Sequence, residues 1–404
     1  MTLLRSHVTC GEGRRIRRGD LLDIARLRGE TPGCAEVVHF NNAGASLQPR
    51  PVLDTIRAHL DAEALMGGYE AADAAMDRLT DVYDSLARLI GAGPDEIAIT
   101  ENSTRAWDTA FYGMRFRPGE RVLTSSSEYG SNAIAFLHAA RDRGIKVEVL
   151  PDDEHGQVSL DALAATLDDD VRLVAVNHVP THDGLVNPVA EIGRLTRASG
   201  ALFLVDACQS VGQLAVDVNE IGCDFLSATG RKFLRGPRGV GFLYVRRAAL
   251  EAIAPTFLDD RGAEWTGPDS YTMRDDARRL ESHERSAALQ LGLGAAADYA
   301  HALGPKEIER RVTALAETLR AALTEVPGVT VHDRGARRSG IVTFTRQGHA
   351  PADIVAALAR QKINVRLSAQ SYRYDGGATP PPRVRASVHY YNTEEEISRL
   401  VAAL

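Results

Sequence analysis

The sequence predicts an α/β protein: a mostly parallel sheet in an α/β/α sandwich, followed by a smaller α+β C-terminal domain. Three observations predict it. Short apolar runs alternate with helical patterns through the middle of the chain. Those runs are near-continuous, as in strands covered on both faces. The texture then changes after about residue 250, to long helices and separated strands. A length of 404 residues suits two domains rather than one. We place them at 39–304 and 305–404, with part of 1–38 joining the second.

Along the chain, the strand candidates are 121–127, 146–151, 172–179, 201–206, 224–228 and 240–245, each short and apolar. Helical patterns lie between several of them. In 187–199, Val189, Ile192 and Leu195 mark an apolar stripe, and Gly200 is a natural C-terminal stop. Strands separated by helices in this way imply parallel βαβ units. Further on, 286–303 reads as a long helix of small residues and 308–323 as a helix with Arg and Glu on its polar face. The stretches 329–331, 341–344 and 363–367 read as strands, and 394–404 as a closing helix.

Composition narrows the function classes. Residues are 44% hydrophobic and 25% charged, and the formal charge is −7. That balance favours neither nucleic acid nor an anionic membrane as a partner. No apolar run is long enough to cross a membrane. The stretch 1–20 lacks the apolar core of a secretion signal, so a cytoplasmic protein is expected. The four cysteines, Cys10, Cys34, Cys208 and Cys223, form no C-x-x-C pair and suit inert thiols better than a disulfide framework. No metal-ligand motif stands out.

The chemistry concentrates near residue 206. Asp206 ends an apolar strand, where a carboxylate is expensive without a partner. It either caps a neighbouring helix or meets a cation such as a pyridinium nitrogen. Lys232 comes 26 residues later, beyond the next strand, before a turn ending in Gly239-Val240-Gly241 that lets backbone approach closely. Alone, such a lysine reads as a solvated surface charge. Paired with Asp206 across one crossover it reads differently. Its amine can condense with an aldehyde, and the carboxylate can keep a ring nitrogen protonated, making the ring an electron sink. Pyridoxal 5′-phosphate (PLP) asks for this combination.

Through Asp206-x-x-Gln209 and Gly230-x-Lys232, the stretch 201–246 resembles the heart of the fold-type I PLP-dependent enzymes of the class V aminotransferase family. That family includes cysteine desulfurases, selenocysteine lyase, isopenicillin N epimerase and the sulfoxide lyase of ergothioneine biosynthesis. The likeness runs from about His39 to the C-terminus. It implies PLP as cofactor, a small amino-acid substrate and a homodimer. It implies Asp206 at the pyridine nitrogen, Gln209 and Thr181 near the phenolic oxygen, and Tyr129 stacked on the ring where desulfurases often have His. Ser103 and Thr104, at a helix start, fit the phosphate turn, with Thr229 and Arg231 added to it. Alone, Ser-Thr before a helix is as good an N-cap. Arg385, in an Arg-x-Ser segment, is implied to grip the substrate α-carboxylate with a bidentate fork. Asn42 and Gly44 are implied in the loop over that carboxylate, and Tyr69 as a contribution from a neighbouring subunit.

Two departures shape the expected reaction. The segment 367–377, where desulfurases carry a nucleophilic cysteine, has none. The segment 280–284, where the family supplies a phosphate-binding Thr to the partner subunit, has no Thr, so Thr266 or His283 stands in. The first departure argues against a persulfide-forming desulfurase. The expected enzyme is then a C–S β-lyase, releasing a thiol or sulfenate with pyruvate and ammonia from an S-substituted L-cysteine or its sulfoxide, in secondary metabolism. The same carbanion serves transamination, epimerisation or decarboxylating deamination equally well; epimerisation needs a second proton donor, for which Tyr129, Tyr69 and His182 are candidates. A degenerate, non-catalytic binding module predicts loss of Lys232 or Asp206, and both are present.

Overall fold

A computed structural model of the chain describes residues 22–369, 374 and 376–404. Cys10, the stretch 1–20, and Gln370–Arg373 and Asp375 of the 367–377 segment lie outside the described residues.

A seven-stranded sheet forms the centre. Its spatial order is Ile97–Thr100, Gly241–Val245, Phe225–Thr229, Leu202–Asp206, Val171–Asn177, Arg121–Ser125 and Lys146–Leu150. Gly241–Val245 runs antiparallel to both neighbours, and the remaining pairs are parallel. The reason is the connection. Residues 230–240 carry a compact turn and no crossover helix, and a parallel return needs a crossover of a dozen or more residues. The expectation of a βαβ unit at 240–245 is corrected on this point. Ile97–Thr100, an outer strand of four residues, was not read from the sequence.

Alternation along the strands feeds two helical layers. Leu173, Leu204, Phe225 and Leu243 face Trp107, Phe111 and Phe136 on the helices Ser103–Gly113 and Gly130–Arg143. Val174, Val176, Phe203, Val205 and Leu226 face the opposite layer, which includes Leu86, Ile90 and Ile192. Each such side chain, fully buried, contributes on the order of 1.5–3 kcal/mol, so both layers are held firmly against the sheet. Local signals set the helix ends. Asn102 caps Ser103–Gly113 by accepting from the Arg105 N–H, and Gly200, at φ +82°, ends Val189–Ser199. Ser286 is the N-cap of Ala287–Leu303.

Beyond the helix Pro305–Thr324, a second sheet of four antiparallel strands has the order Val329–Val331, Ile341–Arg346, Arg383–Ser387 and Arg366–Ser368. The single strand expected at 363–367 is divided at Val365. Ile363–Asn364 pairs in parallel with Val38–His39, and Arg366–Ser368 joins the four-stranded sheet. A hairpin, Ala263–Gly267 with Ser270–Met273, was also missed; its Trp265 is 80% exposed. Among the described residues, no helix is long and apolar enough to cross a membrane.

Candidate active site

The carboxyl ends of the parallel strands open onto a cavity of ≈ 420 Å³, where open α/β sheets place ligands. Its wall is gathered from five loops. Asn102, Ser103 and Thr104 begin one helix, and Tyr129 and Asn132 begin another. Asn177, Val179 and Thr181 follow Val171–Asn177. Asp206, Cys208 and Gln209 follow Leu202–Asp206, and Thr229, Arg231 and Lys232 follow Phe225–Thr229. A larger cavity of ≈ 610 Å³, lined by Arg105, Asp108 and Phe257, contains neither Lys232 nor Asp206.

The turn that carries Lys232 is pinned from several sides. Gly212 packs against it: a Cβ there would lie 2.3 Å from the Phe233 carbonyl, and its φ of +95° suits glycine. Arg235, fully buried in the same turn, donates to Thr31 Oγ1 at 2.6 Å, Tyr390 Oη at 2.7 Å and the Leu47 carbonyl at 2.8 Å. Its guanidinium also stacks over Tyr391 at 4.4 Å. Arg231 donates to the Gly44 carbonyl. The Lys232 Nζ lies 3.3 Å from Cys208 Sγ.

The floor is acidic and strongly desolvated. Burial pushes the Asp206 carboxyl up, while Lys232, the Cys208 N–H and Asn132 pull it back. Asn132 Nδ2 bridges two acids, at 3.2 Å from Asp206 Oδ2 and 2.9 Å from Glu128 Oε1. Glu128 is pushed up to about 7, mainly by its burial. Gln209 donates to Thr181 Oγ1 at 3.0 Å, and its Oε1 is buried without a partner. At the other end lie the first turn of Ser103–Gly113, the Thr229 hydroxyl and Arg231. A helix start of this kind favours an anion. Gly241 makes the close approach possible there, since a Cβ would sit 3.0 Å from Ser103 N and 2.5 Å from the Ala228 carbonyl. An acid at the floor, anion donors at the rim, an orphaned acceptor between them and a lysine amine together fit a flat, cation-bearing ring with a phosphate tail.

The other expected residues are distributed differently. Arg385 Nη1 donates to the Thr181 carbonyl at 2.9 Å and to Thr181 Oγ1 at 2.7 Å, so it stands behind Thr181, which lines the cavity, and is not itself a lining residue. Burial, with Arg366 and Arg231 nearby, lowers its pKa to about 10. Asn42 is fully buried, and its amide is engaged: Nδ2 donates to the Ser387 carbonyl at 2.7 Å and Oδ1 accepts from Tyr391 Oη. It shapes the 41–45 loop rather than presenting a free amide to a carboxylate. Gly44 meets the site through its carbonyl on Arg231. Tyr69 is 80% exposed on the helix Gly68–Ala74, away from this cavity. Asn132, Asn177 and Cys208 were missed. Asn177 had a signal, because a polar residue ends an apolar strand directly beside Asp206.

The model of the family described as Aminotransferase class-V matches residues 38–400. The chain belongs to the class V aminotransferase family. A probable cysteine desulfurase of Methanothermobacter thermautotrophicus is 31% identical over 93% of this chain and 95% of its own. The apo structure of a cysteine desulfurase from Thermococcus onnurineus superposes with a TM-score of 0.85 at 27% identity, covering 94% of this chain and 96% of its own. A lysine mutant of C-DES, solved with glycine covalently linked to its PLP cofactor, gives a TM-score of 0.82 at 26% identity over 93% and 98% of the two chains. The fold is that of these PLP-dependent enzymes, and PLP is the cofactor.

These relatives overturn two expectations: that the chain is a C–S β-lyase forming pyruvate, and that it is not a persulfide-forming cysteine desulfurase. Relatives named cysteine desulfurases align over nearly its full length. The inference had rested on one missing cysteine in 367–377, and one loop position weighs less than the whole-chain match.

Proposed function

We propose that this chain is a cysteine desulfurase-type enzyme, removing sulfur from L-cysteine with PLP bound at Lys232. The observation that carries the reading is the convergence of Lys232, Asp206, Gln209 and a helix start on one cavity, in a chain whose relatives bear that activity's name. Bound there, PLP supplies an electron sink for the charge that develops at the substrate Cα.

The protein's own groups do the rest. Asp206 keeps the ring nitrogen protonated. Ser103, Thr104, Thr229 and Arg231 hold the phosphate, and Tyr129 covers a ring face. Gln209 and Thr181 serve the phenolic oxygen. Lys232 would hold the cofactor through its amine, which is also placed to take the proton from the substrate Cα. Arg385 takes the α-carboxylate. The sulfur acceptor differs from a thiol on 367–377, which contains none; the thiol offered by the described cavity is Cys208. A homodimer suits the exposed Leu65, Tyr69, Phe257 and Trp265, whose large apolar surfaces a second copy would cover.

The test is product analysis of the PLP-loaded protein with L-cysteine and dithiothreitol. One cysteine and two thiol groups give one alanine, one sulfide and one disulfide, so alanine and sulfide are expected in equal amounts. Pyruvate and ammonia in place of alanine would overturn the reading.

A further inference from the structure

Glu128 does not line the cofactor cavity, yet Tyr129, Asn132 and Asp206, which do, are tied to it. It sits between the strand Arg121–Ser125 and the helix Gly130–Arg143, with its side chain buried. Each carboxyl oxygen has its own duty. Oε2 accepts from Thr124 Oγ1 at 2.7 Å, which fastens the carboxyl to the strand. Oε1 accepts from the Tyr129 N–H at 2.7 Å and from Asn132 Nδ2 at 2.9 Å, which fastens it to the start of the helix.

Asn132 extends that attachment to Asp206. Its amide nitrogen carries two hydrogens and faces two acids, Glu128 Oε1 and, at 3.2 Å, Asp206 Oδ2. One hydrogen for each acid fixes the amide, because turning it over would set its oxygen against both acceptors. Asp206 is thereby held at both oxygens, since Oδ1 accepts from the Cys208 N–H at 2.9 Å. Both bonds favour the ionised carboxyl against its burial, and a protonated ring nitrogen needs that form. Tyr129 is 39% exposed, so packing alone does little to hold its ring; the bond from its N–H to Glu128 anchors the backbone from which the ring projects. A carboxyl that merely stapled strand to helix would need no route to Asp206.

We propose that Glu128 is a positioning residue for the cofactor, acting through its hydrogen bonds: by way of Asn132 it keeps Asp206 aimed at the ring nitrogen, and by way of the Tyr129 N–H it sets the ring cover. The inference rests on the assignment of Asp206 to that nitrogen and adds the residue that holds it in place. Glu128→Gln preserves the arrangement. Its Oε1 still accepts from Tyr129 and Asn132, and its Nε2 donates to Thr124 Oγ1, a hydroxyl that can also accept. Glu128→Ala removes it. Asn132→Ala interrupts the route to Asp206 while leaving Glu128 bonded to Thr124 and Tyr129, so it tests the same route should Glu128→Ala not fold.

The experiment measures PLP affinity by equilibrium dialysis and the visible circular dichroism per bound cofactor, which reads how the ring is held. Urea unfolding of each apoprotein, run alongside, separates these readouts from stability. Glu128→Ala and Asn132→Ala should each bind PLP about tenfold more weakly, the loss of about one charge-assisted hydrogen bond, with a diminished dichroic band. The double variant should also lose about tenfold, not the roughly hundredfold of independent contributions, because both changes cut one route. Glu128→Gln should restore affinity and band. Parental affinity and dichroism in Glu128→Ala or Asn132→Ala, at any stability, would reduce Glu128 to a staple and overturn the inference. So would additive losses in the double variant, or a Gln variant as weak as the Ala one. If the parent takes up no PLP, or Asp206→Ala binds it as the parent does, the cofactor reading itself has failed. A weakened Asp206→Ala beside a parental Glu128→Ala rejects this inference alone.

Discussion

Ionisation of Glu128 works against the folded state. The carboxyl is buried and accepts from Thr124 Oγ1 at 2.7 Å, the Tyr129 N–H at 2.7 Å and Asn132 Nδ2 at 2.9 Å. Burial outweighs these bonds, and the Asp206 charge adds to it, moving the carboxyl from its ordinary 4.5 to about 7. Between those values the folded state keeps a proton that the unfolded chain has released. Stability is therefore fully present below about pH 4.5 and falls as pH rises toward 7. At about 1.4 kcal/mol per pH unit of separation, the loss is about 3 kcal/mol by pH 8. Glu128→Gln removes the titration. In urea unfolding of the apoprotein from about pH 4 to about pH 8, the stability of the variant relative to the parent should climb by about that amount. A constant offset between the two curves, at any height, would refute the reasoning.

Three further outcomes follow from the same geometry. Asp206→Ala removes the partner of a buried cation and should weaken PLP binding by about a hundredfold or more, read by equilibrium dialysis; an affinity within about threefold of the parent would contradict the assigned pairing. Gly241→Ala drives a Cβ against Ser103 N and the Ala228 carbonyl, so it should cost about 1–3 kcal/mol of stability and lower PLP affinity. Unchanged melting and affinity would show that the helix start is not seated as described. Cys208, beside Lys232 in the cavity, should be alkylated by iodoacetamide in the apoprotein and protected once PLP is loaded. Equal labelling in both forms would place the thiol away from the cofactor.

Much of this was legible in the sequence because strands buried on both faces read as apolar runs. The runs ending at Asp206 and near Asn177 pointed to the sheet edge where the cavity opens, and Asp206 and Lys232, paired in the sequence by their separation, line that one cavity. Tertiary neighbours hid the rest. Ile97–Thr100 is too short to show a period, and its place beside Gly241–Val245 follows from a returning turn that periodicity does not encode. Arg235 reads as one more surface arginine until Tyr390 and Tyr391 arrive from 155 residues away in sequence or more. Asn42 matched a motif position, but its amide is occupied by Ser387 and Tyr391. The reaction was misjudged because a single absent cysteine was weighed against a pattern spread over the whole chain.

The central claim is that Lys232 holds the cofactor. Purified protein should be incubated with PLP, reduced with borohydride, digested, and its peptides mapped by mass spectrometry. The account predicts a visible band lost on reduction and a pyridoxyl phosphate label on the peptide containing Lys232, with neither in Lys232→Ala. A colourless protein, or a label confined to another lysine, would contradict it.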